Sequence, residues 1–121
     1  MTVTLQRHPD GAKIRSAQLT LPRALRLVRK RVRRNVSGQA SAVLGRGSFR
    51  VVNRRTLSIG GISKQGASTV VVRLRGGAVK ASKRLRRALR KHRKQRLSFK
   101  VVSTDTAGKS FTSRASVRVR R

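Results

Sequence analysis

Two carboxylates and two imidazoles are all the proton-transfer chemistry that this chain carries. They are Asp10 in "RHPDG", Asp105 in "STDTAGK", His8 beside the first and His92 inside a run of cations. Acid–base catalysis by paired carboxylates needs two that converge on one bond. Each aspartate instead stands where a turn former belongs, one between Pro9 and Gly11, the other in a short loop between alternating segments. A calcium or magnesium cage needs more oxygen donors than two aspartates supply. His92 has cations on both sides, which repel a metal ion, and both imidazoles read as solvated surface. Neither GxSxG nor GxxxxGK[ST] occurs, so "GISKQGAS" and "LGRGSF" are glycine-bearing loops without a nucleophile elbow or a phosphate cradle. Cysteine is absent, which excludes disulfides and thiolate metal sites. The expectation is a protein with no catalytic residue, no cofactor, no metal and no small-molecule substrate.

The remaining chemistry is positive charge. There are 33 Lys and Arg against 2 acids, a formal net charge of +31. Seven of the twelve residues from Arg23 to Arg34 are basic, as are nine of the fourteen from Lys83 to Arg96. Within these runs the candidate polyanion-binding residues are Arg29, Lys30, Arg33 and Arg34, then Arg86, Arg87, Arg90, Lys91, Arg93 and Lys94. Such charge favours DNA, RNA, anionic lipid or an anionic wall polymer without choosing among them. Single-strand nucleic-acid binders stack bases on aromatic rings. Here Trp and Tyr are absent, and Phe49, Phe99 and Phe111 all fall at inward positions of strands. Any binding is therefore non-specific, and the basic faces read either as solvated or as used.

High charge and few aromatics suggest disorder, but the apolar residues are patterned. A folded chain of 13.4 kDa exposes roughly 6,500 Å². Spread over it, the charges lie about 14 Å apart, beyond the Debye length of about 8 Å at physiological salt. Folding is tolerable in salt and strained without it.

The elements that position these charges follow from periodicity. Residues 1–12 read as a short strand or tail, an interdomain linker in the larger view, ending in the turn at Pro9-Asp10-Gly11. Ala17, Leu19 and Leu21 alternate with polar residues in a strand stopped by Pro22. Leu25, Val28, Val32 and Val36 suit a narrow helical stripe, giving a short helix around 23–34. Phe49 with Val51 and Leu57 with Ile59 mark two strands about Asn53-Arg54-Arg55. Val70, Val72 and Leu74, interleaved with Val71, suggest a strand covered on much of both faces, stopped by Gly76-Gly77. Ala78, Ala81, Leu85, Ala88 and Leu89 form the stripe of a second helix around 79–93, with Ser82 able to cap its first turn. The last third is a hairpin pairing Val101 with Ser113, Phe99 with Ala115 and Leu97 with Val117. The sum is mainly β: a β-sandwich of about six or seven strands with one or two short inserted helices, one domain over 13–121.

The order "KIRSAQLTLPRALRL", "SFRVVNRRTLSIGG", "STVVVRLRGGAVKASKRLRRAL" and "RLSFKVVSTDTAGKSFTSRASVRVR" resembles the Lys/Arg-rich immunoglobulin-like modules of large exported actinobacterial proteins. The resemblance spans about residues 12–121 and is closest over Thr104–Lys109 and Leu85–Lys94. It implies an immunoglobulin-like fold and a non-enzymatic spacer or adhesion role, outside the cell or at its wall, beside further domains of a longer chain. It brings no catalytic residue. Asn35-Val36-Ser37 fits a glycosylation sequon that reads as chance. "MTVTLQRHPDG" has no apolar h-region and no stretch is apolar enough to span a membrane. A true start at Met1 implies instead a cytoplasmic, nucleoid-type nucleic-acid-binding protein, the alternative function.

Overall fold

The computed structural model describes residues 1–40, 42–75, 77–92 and 94–120. Strand β1 (Thr2–Gln6) is followed by β2 (Ile14–Thr20), β3 (Leu25–Leu27), helix α1 (Arg29–Asn35), β4 (Val36–Gln39) and β5 (Val43–Leu44). After a 3-10 turn at Arg46–Ser48 come β6 (Phe49–Asn53), β7 (Thr56–Ile59), β8 (Thr69–Leu74), β9 (Val79–Ala81), helix α2 (Lys83–His92), β10 (Lys94–Asp105) and β11 (Ser110–Arg120). All pairing is antiparallel. One sheet runs β1-β8-β4-β5, a second β11-β10-β2-β7-β6, and a two-stranded ribbon joins β3 to β9. The protein is mainly β and sandwich-like, with eleven strands among the described residues where six or seven were expected.

Burial of alternate residues makes the two larger sheets face each other. Val3 and Leu5 of β1 and Val70, Val72 and Leu74 of β8 share one core cluster with Leu19, Leu57, Ile59, Phe99 and Val101 of the second sheet. At Gly38 of β4 a Cβ would lie 2.7 Å from the Val71 carbonyl oxygen on the neighbouring strand and 2.9 Å from the Phe49 ring of the facing sheet. Any side chain there would clash with both, so the position needs glycine. Strand β8 is covered on one face only: Val70, Val72 and Leu74 are buried, Val71 is half-buried and Arg73 is exposed. The side bearing Val71 and Arg73 is thus only partly covered, less than the expectation of two largely covered faces.

Residues 1–12 contain β1, which pairs along its length with β8. The hairpin β10–β11 forms in the expected register, with Val101 opposite Ser113, Phe99 opposite Ala115 and Leu97 opposite Val117. Its loop takes Gly108 to a left-handed φ of 83°, a conformation that strains any residue with a Cβ. The side chain of Val119, expected to face inward, lies outside what is described, as does Gly76.

Both helices differ from their sequence outlines. The helix expected over 23–34 is only Arg29–Asn35, and Leu25 and Leu27 instead enter β3 and are buried. Val28 precedes α1 without a side-chain cap. Like charges one turn apart, Arg29 with Arg33 and Lys30 with Arg34, also weaken any longer helix. The helix expected over 79–93 is Lys83–His92, because Val79–Ala81 pair with β3. Of its expected stripe, Leu85 and Leu89 are buried and Ala88 half-buried, while Ala78 and Ala81 lie before the helix; the Ser82 hydroxyl accepts the Leu85 amide at 3.1 Å. No helix among the described residues is long and apolar enough to cross a membrane.

Candidate polyanion-binding surface

The acids are committed to structure or exposed. Asp105 is buried, and its Oδ1 accepts the backbone N–H of Lys109 at 2.8 Å and of Ala107 at 2.9 Å. Its Oδ2 accepts the N–H of Ala12 at 3.1 Å, tying the hairpin loop to the N-terminal turn. The Lys109 amide foremost holds this carboxyl below the ordinary aspartate range. The amides of Ala12 and Ala107 and the Lys109 charge act the same way, against the opposing effect of burial. Asp105 is thus a loop anchor, the turn-forming role read from its position. Asp10 is exposed, and its carboxylate lies 3.8 Å from His8 Nδ1. That same nitrogen accepts the Asp10 amide at 3.1 Å, which requires it to be unprotonated, so the hydrogen bond and an ion pair exclude each other.

His8 is not simply solvated. Its ring stacks on Phe111 with centroids 4.4 Å apart and planes 8° from parallel, while Lys109 Nζ lies 5.8 Å from the Phe111 centroid. Phe111, expected in the core, is half-buried beneath the "PDG" turn: a Cβ on Gly11 would lie 2.7 Å from its ring. It lies near the start of β11, an edge strand of its sheet, opposite the buried Ser103. Phe49 and Phe99 are buried as expected.

The cations divide into two regions. In the first, β3 and β9 pair Arg26 directly opposite Lys80, both exposed, while Leu25 and Leu27 turn inward. Like charges in direct register repel. A cavity of about 350 Å³ beside them is also lined by Arg23, Lys83 and Arg86. An adjoining one of about 260 Å³ is lined by Lys83, Arg86, Arg87 and Arg90. Lys83 and Arg86 belong to both, so the ribbon and α2 make one continuous basic face. Leu85 and Leu89 hold α2 down and turn this side outward.

In the second region, Arg29 and Arg33 of α1 line a different cleft with Arg50 of β6. The structure therefore joins Arg86, Arg87 and Arg90 to one another and separates them from Arg29 and Arg33. Lys30, Arg34 and Lys91 are exposed and line neither region. Arg93 and the side chain of Lys94 lie outside the described residues. Sequence reasoning missed Arg26, Lys80 and Arg50 as site residues. The first two become neighbours only through a ribbon closing across more than fifty residues, and Arg50 is a lone cation in a strand. Arg23 and Lys83 were visible as ends of the basic runs.

Among the described residues no carboxylate pairs with Lys or Arg; the one carboxylate–imidazole contact joins Asp10 and His8. Compared with protein-family models, curated proteins and solved structures, the chain matches none.

Proposed function

We propose that this chain is a non-enzymatic interaction module, an immunoglobulin-like sandwich of an exported or wall-associated protein that holds anionic polymers by charge. The observation that carries this reading is the Arg26–Lys80 pair. Two cations stand in direct register at the rim of a face that also bears Arg23, Lys83, Arg86, Arg87 and Arg90, with no internal counter-charge described. Such a face collects small anions, and a polymer that displaces them gains their release entropy. Lysine and arginine on separate strands and a helix give reach along a chain of charges without a shape for any one monomer. The acids support the non-enzymatic part, since Asp105 is saturated by amides and Asp10 sits on an exposed turn.

The test compares binding to duplex DNA and to polyglutamate at about 150 mM salt, then repeats both as salt rises. Similar affinities with steep salt slopes support a generic cationic face. Replacing Lys83, Arg86, Arg87 and Arg90 by Glu then weakens both polymers and flattens the slope by about one unit per lost contact. A preference for DNA that persists at high salt overturns this reading in favour of a nucleic-acid-binding protein.

A further inference from the structure

The second cationic region has a different construction. The open cleft between α1 and β6 has a volume of about 720 Å³ and is lined by three arginines and no lysine. Arg29 and Arg33 stand one helical turn apart on the same side of α1. Arg50 comes from β6 and lies opposite Ser58 of β7, which in turn lies opposite Gln18 of β2. Ser58 and Gln18 also line the cleft, offering a hydroxyl and an amide that carry no charge. The apolar part of its lining includes Val51 and Val52, and Val52 is 48% exposed, one of two large apolar side chains so exposed among the described residues.

The choice of side chain limits the ligand. A guanidinium is a planar fork of parallel N–H donors, suited to two oxygens of one anion. Three such forks exceed what the two oxygens of a carboxylate can accept. A phosphomonoester brings three terminal oxygens and a charge of about −1.5 to −2 at neutral pH. No described carboxylate neutralises the three arginines from within. The exposed valine beside them offers a surface for the organic part of an ester. We propose that the α1–β6 cleft is a binding site for a phosphomonoester carried on a short apolar group. The proposal stands on residues outside the ribbon–α2 face and does not depend on the polymer reading.

The experiment titrates the 15N-labelled chain with n-butyl phosphate, inorganic phosphate and n-butyl sulfate in about 150 mM chloride, following amide shifts and heat. The expected result is saturation by butyl phosphate, with shifts concentrated on α1 and β6. Butyl phosphate binds more tightly than inorganic phosphate, through the valines, and more tightly than the singly charged sulfate. Arg50→Gln or Arg33→Gln raises Kd about tenfold or more, the loss of one charge-assisted hydrogen-bonded contact. Arg86→Gln, on the separate ribbon–α2 face, changes Kd less than about twofold. Arg33 is exposed on α1, so Arg33→Gln keeps the test decisive if Arg50→Gln disturbs β6. Non-saturating shifts spread over every basic surface, an unchanged Kd in Arg33→Gln, or sulfate binding equal to phosphate overturns the site.

Discussion

The corner around Asp105 and the face around Arg26 and Lys80 solve opposite problems. At the corner one buried carboxylate receives three backbone N–H groups, and the loop, the N-terminal turn and β10 are held together by it. On the face, cations from two strands and a helix are brought side by side with no described acid among them. A chain with two acids uses one for architecture and leaves its cations to be neutralised from outside. The corner should therefore respond to pH, and the face to salt and polymer.

The largest effect tests whether the face is built at all. Leu89 is 6% exposed on the underside of α2. Leu89→Asp removes apolar burial and drives a charge inward, at a cost of about 4 kcal/mol or more. Thermal melts should show unfolding or a strongly loosened domain. A variant as stable as the parent would mean that α2 does not dock through this residue, and the continuous face would dissolve.

Next comes the corner. Asp105→Asn keeps one carbonyl oxygen for Lys109 and Ala107 but turns an amide N–H₂ toward the Ala12 N–H, donor against donor. It should melt well below the parent at neutral pH. The parent carboxyl is held below its ordinary range. The stability it contributes is thus fully present above the unfolded-state value of about 3.9 and is lost as pH falls through the folded value. Melting the two proteins between pH 6 and pH 2 should show the gap closing on the acid side, with the variant nearly flat. Parallel pH profiles would remove Asp105 from its anchoring role.

The corner was largely legible in the sequence and the face was not, for physical reasons. The β10–β11 register follows from alternation of Leu97, Phe99 and Val101 across a short loop, where a slip by one residue would turn the apolar side to water. Asp105 was placed as a turn former, although nothing local announced its bond to Ala12, ninety-three positions away. Helix α2 followed from Leu85 and Leu89 with Ser82 as cap. The ribbon did not, because β3 and β9 have three residues each, too few for a period to appear. Leu25 even continued the helical spacing of Val28, Val32 and Val36 while belonging to a strand. The sandwich was legible from alternation; its strand order was not, since pairing of β8 with β1 and β4 depends on contacts distant in sequence.

A smaller effect belongs to the whole charge set. With 8305 Å² of surface and a net charge of +31, the charges lie about 16 Å apart, inside the Debye length of about 30 Å at 0.01 M salt and outside it at 0.15 M. Raising sodium chloride across that interval should lift Tm by a few degrees, and sulfate at equal ionic strength should lift it further by being held on the surface. A Tm independent of salt would mean that repulsion does not limit this fold.

The smallest stability change draws the sharpest line between the two regions. Arg26→Glu places a carboxylate directly opposite Lys80 and beside the cavity that holds Lys83 and Arg86. It converts a repelling cross-strand pair into an attracting one, a gain of about 0.2–1 kcal/mol. It also supplies from within the counter-charge that a bound polymer would bring. Thermal melts should rise slightly while polyglutamate and DNA binding both weaken and lose salt dependence. Stability and binding then move in opposite directions at one residue, as expected where repulsion is left unrelieved until a ligand arrives. A variant that gains stability with binding undiminished would show that the polymer is held elsewhere on the basic surface, leaving Arg26 and Lys80 as solvated charges on a ribbon whose work is to bury Leu25 and Leu27.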